Sequence, residues 1–505
     1  MGLYDYTIYS LIRRNALALG NRTALVCGGE KVSYREYLNR VDRLAGGLWK
    51  SGLRPGDRVA VLSMNNLHFL DLCGAAARLG LIVVPLNWRL SAEEVATMIT
   101  DSTPRALFVE KGFQAQVQGA VGRFEGLDAG YTIGPDPGDY PTIDILTAAG
   151  EAAPEVEVSG RDDFVILYTA AVEGRPRGAR LTHEGLLTAN CQVQYFWNLA
   201  PDDVHLALLP LFHITALGLA LAVMQAGGLN VILPKFDATA ALEAIQTHRV
   251  TLFGGFPPIF ETLLEQAEGP GTDLSSLRLV LGLDKLEVIR RFQEKAGCVF
   301  WTAYGQSETS GLLSLAPQTE RPGSAGRIGY LTETAVMDDY GTILGPGQTG
   351  EIVARGPMVF KGYWNLPEDT AFTFRYGWHH TGDLARIDKE GYLYYQARAP
   401  HKELIKPGGE NVYPAEVEKA LLEHPAVREA AVIGVPDDQW GEAVKAVCVL
   451  ENGQSLSAQE LIDFVAGRIA RFKKPKVVVF VSDLPKAADG RIDRIKVKER
   501  YSPAA

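Results

Sequence analysis

Three stretches of the chain bring reactive side-chain types close together. The first runs Leu167-Tyr-Thr-Ala-Ala-Val-Glu-Gly-Arg-Pro-Arg-Gly-Ala-Arg-Leu-Thr-His183. It follows an apolar run and precedes a helical pattern that begins at His183, so loop amides and guanidinium groups could face a phosphate. A Walker loop is excluded, because Gly-x4-Gly-Lys-Ser/Thr is absent; a solvated basic loop would use the same residues. The second, Trp301-Thr-Ala-Tyr-Gly-Gln-Ser-Glu-Thr309, puts an aromatic ring, a glycine and an acid in one loop. The third, Trp378-His-His-Thr-Gly-Asp383, puts an aspartate after a Thr-Gly turn. An aromatic face can stack on a purine, a glutamate can ligate magnesium, and an aspartate can accept both hydroxyls of a ribose.

The elements that would hold these loops are those of an α/β protein. Residues 7–110 alternate helical patterns with apolar runs such as Arg58-Val-Ala-Val-Leu-Ser63 and Leu81-Ile-Val-Val-Pro85, the cadence of βαβ units. That cadence resumes at Phe164-Val-Ile-Leu-Tyr168 and continues to about residue 310. From Gly326 to Tyr395, short strands between turn signals predict a small β-rich subdomain. Between His205 and Lys235 no Asp, Glu, Lys or Arg occurs, but Pro210, Gly227 and Gly228 cut the run into strand, short helix and strand, which argues against a membrane span. Residues 402–505 carry equal numbers of acidic and basic side chains, whereas the whole chain has a net charge of -10. A second domain over 399–505, following one over 1–398, is therefore expected.

Composition narrows the function classes. The 505 residues are 47% hydrophobic and 22% charged, which excludes a disordered or fibrous chain and suggests about three structural units. The acidic balance disfavours a nucleic-acid partner. Cys27, Cys73, Cys191, Cys298 and Cys448 are an odd number, far apart and without a C-x-x-C pair, which suits reduced thiols better than disulfides or zinc. With no secretory pattern at the N-terminus, a cytoplasmic address is expected, and a homodimer is left open.

Taken in order, these segments resemble the adenylate-forming superfamily of acyl-CoA synthetases, peptide-synthetase adenylation domains and luciferases, over nearly the whole chain. Further motifs carry the resemblance: Lys31-Val-Ser-Tyr-Arg-Glu36, Pro210-Leu-Phe-His213, Lys402-Glu-Leu-Ile-Lys-Pro-Gly-Gly-Glu-Asn-Val-Tyr-Pro-Ala-Glu-Val417 and Gly490-Arg-Ile-Asp-Arg494. The resemblance implies a large N-terminal domain and a small mobile α+β C-terminal domain. It also implies an acyl-CoA ligase that uses ATP, Mg2+ and coenzyme A to convert a carboxylic acid into an acyl-adenylate and then a thioester. By the same resemblance Tyr304 stacks on adenine, Ser307 lies by the α-phosphate, Glu308 holds magnesium and Asp383 grips the ribose with Arg398. Thr169, Arg177 and Gly305 complete the AMP site. Lys402 is the hinge, Gly408 and Gly409 line the pantetheine tunnel, His213 sits at the acyl pocket and Arg491 acts in adenylation. The basic tail from Arg468 to Arg500, which includes Lys473, reads equally as a solvated helix face or as a site for coenzyme A phosphates. The acyl pocket is expected near Tyr195-Phe-Trp197, Phe212, Phe256 and Gly282-Leu-Asp-Lys285, with aromatic contacts.

Two departures favour a second reading, a catalytically impaired homologue that binds nucleotide or acyl-CoA. Ala170-Ala-Val-Glu173 replaces the family's Ser-Gly-Thr-Thr, with Arg177 in place of its lysine, and Arg491 stands where the family has its adenylation lysine. Arginine keeps the charge but presents a planar fork instead of a point charge. An amino-acid substrate is disfavoured, because His213, not aspartate, follows Phe212.

Overall fold

The computed structural model describes residues 5–121, 129–148, 152–172, 175–267, 271–399, 404–486 and 492–502. Most of the chain is built on two largely parallel sheets. The six-stranded sheet orders its strands Ala129–Ile133, Ala106–Glu110, Arg58–Leu62, Ile82–Pro85, Asp163–Val172 and Arg175–Thr182. The nine-stranded sheet runs from Arg327–Ile328 through Gly311–Pro317, Val299–Gln306, Leu279–Gly282, Leu252–Gly255, Val204–Ala207, Leu229–Ile232 and Thr23–Cys27 to Glu30–Ser33. Strands such as Ile82–Pro85 and Leu252–Gly255 are buried at every position, as expected where helices cover both faces. The helices Tyr34–Lys50 and Leu67–Leu79 fill the space between, with Tyr37, Val41, Leu44, Leu70 and Ala75 in one core. A second core joins Phe253, Phe260, Phe292 and Phe300.

The charge-free run folds as strand Val204–Ala207, helix Ile214–Ala226 and strand Leu229–Ile232. Among the described residues no helix is long and apolar enough to cross a membrane. The β-rich expectation holds too: Glu333–Met337, Thr349–Arg355, His379–Ile387 and Leu393–Arg398 form an antiparallel four-stranded sheet. One element differs from its expectation. The segment after Phe164 was expected to be strand, loop and helix; instead Asp163–Val172 turns back as an antiparallel partner strand, Arg175–Thr182, before the helix starts at His183. The N-terminal amides of that helix are therefore a strand's length from the turn, and Thr182 caps them by accepting from Gly185 N at 3.0 Å.

Beyond Leu404 the chain forms its own three-stranded sheet, Val427–Asp437, Gly441–Leu450 and Val477–Phe480. Helices Pro414–Leu422 and Ala458–Ala466 pack on one face through Val417, Leu421, Leu461 and Val465, and Val497 of helix Arg494–Tyr501 packs on the other. This small domain docks on the large one at Ala470, which joins the core of Leu90 and Val95. Beneath that contact lies Lys473, 5% exposed.

Two of the buried histidines of the large domain are pushed below their usual range by burial. His183 stacks against Phe164 with ring centroids 4.7 Å apart, and His205 Nδ1 lies 2.8 Å from Asn230 Oδ1. Burial pushes them from 6.5 down to about 3 and about 4. Both are neutral in the fold and charge on unfolding, so their contribution is present above pH 6.5 and is lost as pH falls toward those values. At pH 5 each is expected to cost about 2 kcal/mol of stability relative to pH 7. Urea midpoints at the two pH values should show this drop, and His205→Gln should remove about half of the pH dependence whatever it does to absolute stability.

Candidate active site

Asp383 stands on strand His379–Ile387 and is 5% exposed. A buried carboxylate must be hydrogen-bonded, and its Oδ2 accepts from Tyr304 Oη at 2.7 Å and from Gln306 Nε2 at 2.8 Å. The same Gln306 amide donates to Thr381 O at 3.0 Å. Burial and the neighbouring Asp383 carboxylate push the Tyr304 phenol well above its usual range, so it keeps its proton and stays a donor. Asp383 faces Arg398 in the strand register. The Arg398 guanidinium itself points to the Leu404 carbonyl and to Glu442, 3.5 Å away.

Glu308 is the second buried acid, in a single 3-10 turn Ser307–Thr309 that follows strand Val299–Gln306. Its Oε1 accepts from Tyr363 Oη at 3.0 Å and from Thr169 Oγ1 at 3.3 Å. Arg177, opposite Thr169 across the hairpin, lays its guanidinium 4.5 Å from the Tyr363 ring centroid and 3.5 Å from Asp369. Its Nε is buried without a hydrogen-bond partner among the described residues, a donor suited to an added anion. Gly305 is required by close approach: a Cβ there would lie 2.1 Å from Gly311 O. Among the described residues no three His, Cys, Asp or Glu side chains gather as a metal-binding group.

Beside this polar cluster lies a pocket. Gly305 and Gln306 form the wall it shares with the cluster; Val193, Leu219, Leu281 and Leu312 give it an aliphatic lining. The expected aromatic contacts are a correction. Tyr195 is 71% exposed and packs edge-on against Tyr330, 5.3 Å away, while Leu283 is 65% exposed. Helical phase explains it: Ala189, Asn190 and Val193 share the face toward the pocket, and Tyr195 falls on another. Phe256 instead packs at the domain seam, 3.3 Å from where a Cβ on Gly409 would lie.

His213 precedes helix Ile214–Ala226, next to the lining residue Ile214, with Nε2 3.3 Å from Glu410 Oε1. Glu410 also accepts from Asn87 Nδ2 at 3.3 Å and pairs with Arg89. Burial alone would raise Glu410, but His213, Arg89 and Asn87 overcome it and hold the carboxyl at about 2. Gly408 and Gly409, both at positive φ, thread between Trp440 and Phe256-Pro257; a Cβ on Gly408 would lie 2.7 Å from Trp440 Cε3. Lys473, expected at coenzyme A phosphates, is instead held between Glu94 at 2.5 Å and Glu416 at 2.8 Å, buried where the two domains meet. Lys402, Glu173 and Arg491 lie outside the described residues.

Gln306, Tyr363, Arg89 and Glu410 were not singled out from the sequence. Gln306 and Glu410 lie inside motifs that were quoted; nothing in the sequence marks Tyr363.

The sequence matches the AMP-binding enzyme family over residues 12–364 and its C-terminal domain over 416–491. The chain belongs to the AMP-binding enzyme family. It is 38% identical to a feruloyl-CoA synthase from an Amycolatopsis species, over 97% of this chain and 98% of that one. An indoleacetate–CoA ligase from Aromatoleum aromaticum is 35% identical over 97% of each. The structure of an o-succinylbenzoate-CoA synthetase double mutant from Bacillus subtilis, bound with a product analogue, aligns at a TM-score of 0.85 and 29% identity, covering 98% of this chain and 99% of that one. As an AMP-binding enzyme, this chain is an adenylate-forming acid–thiol ligase that uses ATP and coenzyme A.

In this enzyme the Glu94–Lys473–Glu416 cluster ties the small domain to the large one. Removing one member of a buried pair leaves an uncompensated charge, so Lys473→Met is expected to weaken the docked arrangement by about 3–5 kcal/mol. Hydrogen exchange at the Ala470 amide, which donates to Glu94 Oε2 at 3.2 Å, should accelerate accordingly. Adding Glu94→Gln and Glu416→Gln should restore most of the protection.

Proposed function

We propose that the pocket receives an apolar carboxylic acid and that the Asp383 and Glu308 clusters hold ATP against it. The observation that carries this reading is the shared wall: Gly305 and Gln306 line the pocket, while the Gln306 amide bonds Asp383 on the other side. An acid seated in the pocket and a ribose on Asp383 then meet beside Ser307. The feruloyl and indoleacetate relatives support an acid that carries a ring.

In the first step the carboxylate oxygen forms a bond to the α-phosphorus while the bond to pyrophosphate breaks. Little covalent help is needed, so the enzyme's part is positioning and charge neutralisation. Asp383 takes the ribose hydroxyls, fixed in place by Tyr304 and Gln306; Arg398 assists. Arg177 and Thr169 face the phosphates, Ser307 the α-phosphate, and Tyr304 the adenine. Magnesium, held at Glu308, would neutralise phosphate charge. In the second step the coenzyme A sulfur attacks the acyl carbon and AMP leaves with the bonding pair. Gly408 and Gly409 offer bare backbone to the pantetheine arm, and His213 with Glu410 sits where that arm would reach the pocket. Arg491 is assigned to the first step and Lys402 to the rotation between steps, with the boundary at 398/399. Free cysteines, three of them buried, support a cytoplasmic setting.

The test is a panel of carboxylic acids. Acid-dependent exchange of pyrophosphate into ATP without coenzyme A, and thioester formation with AMP only when coenzyme A is added, are the expected results. Tight binding of ATP or acyl-CoA with no turnover of any acid would favour the impaired homologue. Asp383→Asn should weaken ATP binding about 10- to 100-fold by calorimetry, with the melting temperature nearly kept, because charge-assisted hydrogen bonds to the ribose become neutral ones.

A further inference from the structure

Strand Thr349–Arg355 runs antiparallel to strand His379–Ile387, and their register breaks beside Asp383. Glu351 faces Leu384 and Val353 faces His380, so Thr381, Gly382 and Asp383 stand opposite Ile352 alone. Such a bulge takes backbone groups out of the ladder, and buried ones must find other partners. Here side chains supply them. Glu351 Oε1 accepts from Gly382 N at 2.8 Å. Thr381 Oγ1 donates to Ile352 O at 2.8 Å and accepts from Asp383 N at 3.2 Å. The Gly382 carbonyl turns the other way and takes Ala399 N at 2.9 Å. Gly382 itself has φ +70°, a left-handed conformation that glycine adopts without strain. The peptide groups on either side of it are therefore each fixed, one by Glu351 and one by Ala399.

Glu351 is 8% exposed, and a buried carboxylate is destabilising unless its charge is matched. Its Oε2 accepts from Arg375 at 2.6 Å and lies 2.7 Å from His380 Nδ1. Burial alone would raise the Glu351 carboxyl, but His380, the Gly382 amide and Arg375 overcome it and hold it below its usual range. The group stays ionised, with one oxygen anchored to the cationic side and the other left for Gly382 N. An ionised acceptor holds an amide more firmly than a carbonyl does. Through that peptide, Glu351 sets the direction in which the Asp383 carboxylate leaves its strand, toward Tyr304 and Gln306.

We propose that Glu351 is a positioning residue: by holding the Gly382 amide it aims Asp383 at the ribose hydroxyls, and so sets how strongly the enzyme reads them. The proposal rests on the reading of Asp383 as the ribose acceptor and goes beyond it in naming what directs that carboxylate. Its test measures Kd by calorimetry for ATP and for 2′,3′-dideoxy-ATP, which lacks both hydroxyls. The proteins are wild type, Glu351→Ala, Glu351→Gln and Asp383→Asn. Wild type should prefer ATP by about tenfold or more, the effect of charge-assisted hydrogen bonds to the sugar. Glu351→Ala should bind ATP about tenfold more weakly and the dideoxy nucleotide less than about threefold more weakly, so that the preference collapses as it does in Asp383→Asn. Glu351→Gln keeps one acceptor oxygen where the carboxylate uses two, so its preference should fall between. Both Glu351 variants are expected to melt earlier, because Arg375 and His380 lose their counter-charge. Lost stability alone weakens both nucleotides equally and leaves their ratio unchanged. A folded Glu351→Ala that keeps the wild-type preference would overturn the proposal; where alanine does not fold, an unchanged preference in Glu351→Gln does the same. A wild type with no preference, matched by Asp383→Asn, would instead overturn the ribose assignment on which the proposal rests.

Discussion

Two nearly buried carboxylates, Glu308 and Asp383, set the constraint that organises this enzyme. A buried anion costs several kcal/mol unless neighbouring groups satisfy it. Here donors and acceptors come from separate layers: Thr169 donates from the six-stranded sheet, Tyr304 and Gln306 donate from the nine-stranded one, and Asp383 accepts from the four-stranded sheet. The hydrogen bonds that make burial tolerable also pin the three sheets at one point. Misplacing any layer would strand a charge, so the fold and the site are stabilised by the same contacts.

Much of the framework was legible because it depends on local rules. The strand, helix and strand from Val204 to Ile232 follow from punctuation by Pro210, Gly227 and Gly228. The loops bearing Tyr304, Glu308 and Asp383 could be found as unusual clusters of types. What the residue types could not supply was orientation. Tyr195 and Val193 are two positions apart on one helix, and only packing decides which of them faces a ligand. The turn after Thr169 looked like a strand-to-helix loop, yet the antiparallel return of Arg175–Thr182 is fixed by pairing to the strand edge, a non-local choice.

Lys473 shows the same limit from the side of electrostatics. A basic cluster at the end of a chain reads equally well as a solvated face or an anion site. The outcome depended on Glu94, more than three hundred residues earlier, and on Glu416. Burial costs this lysine its hydration, and the two carboxylates return its charged state to favour, holding its pKa above the usual value.

Glu94 is the more telling partner, because one carboxylate serves two purposes. Its Oε2 accepts the Ser91 amide, which starts its own helix, and the Ala470 amide of the small domain, while Oε1 takes Lys473. Separating the domains would leave this carboxylate to its helix alone. The first turn of Ala92–Ser102 would then register whether the small domain is present, a local reporter of a global arrangement. A probe of that turn alone would report whether the small domain is docked, without a label on that domain.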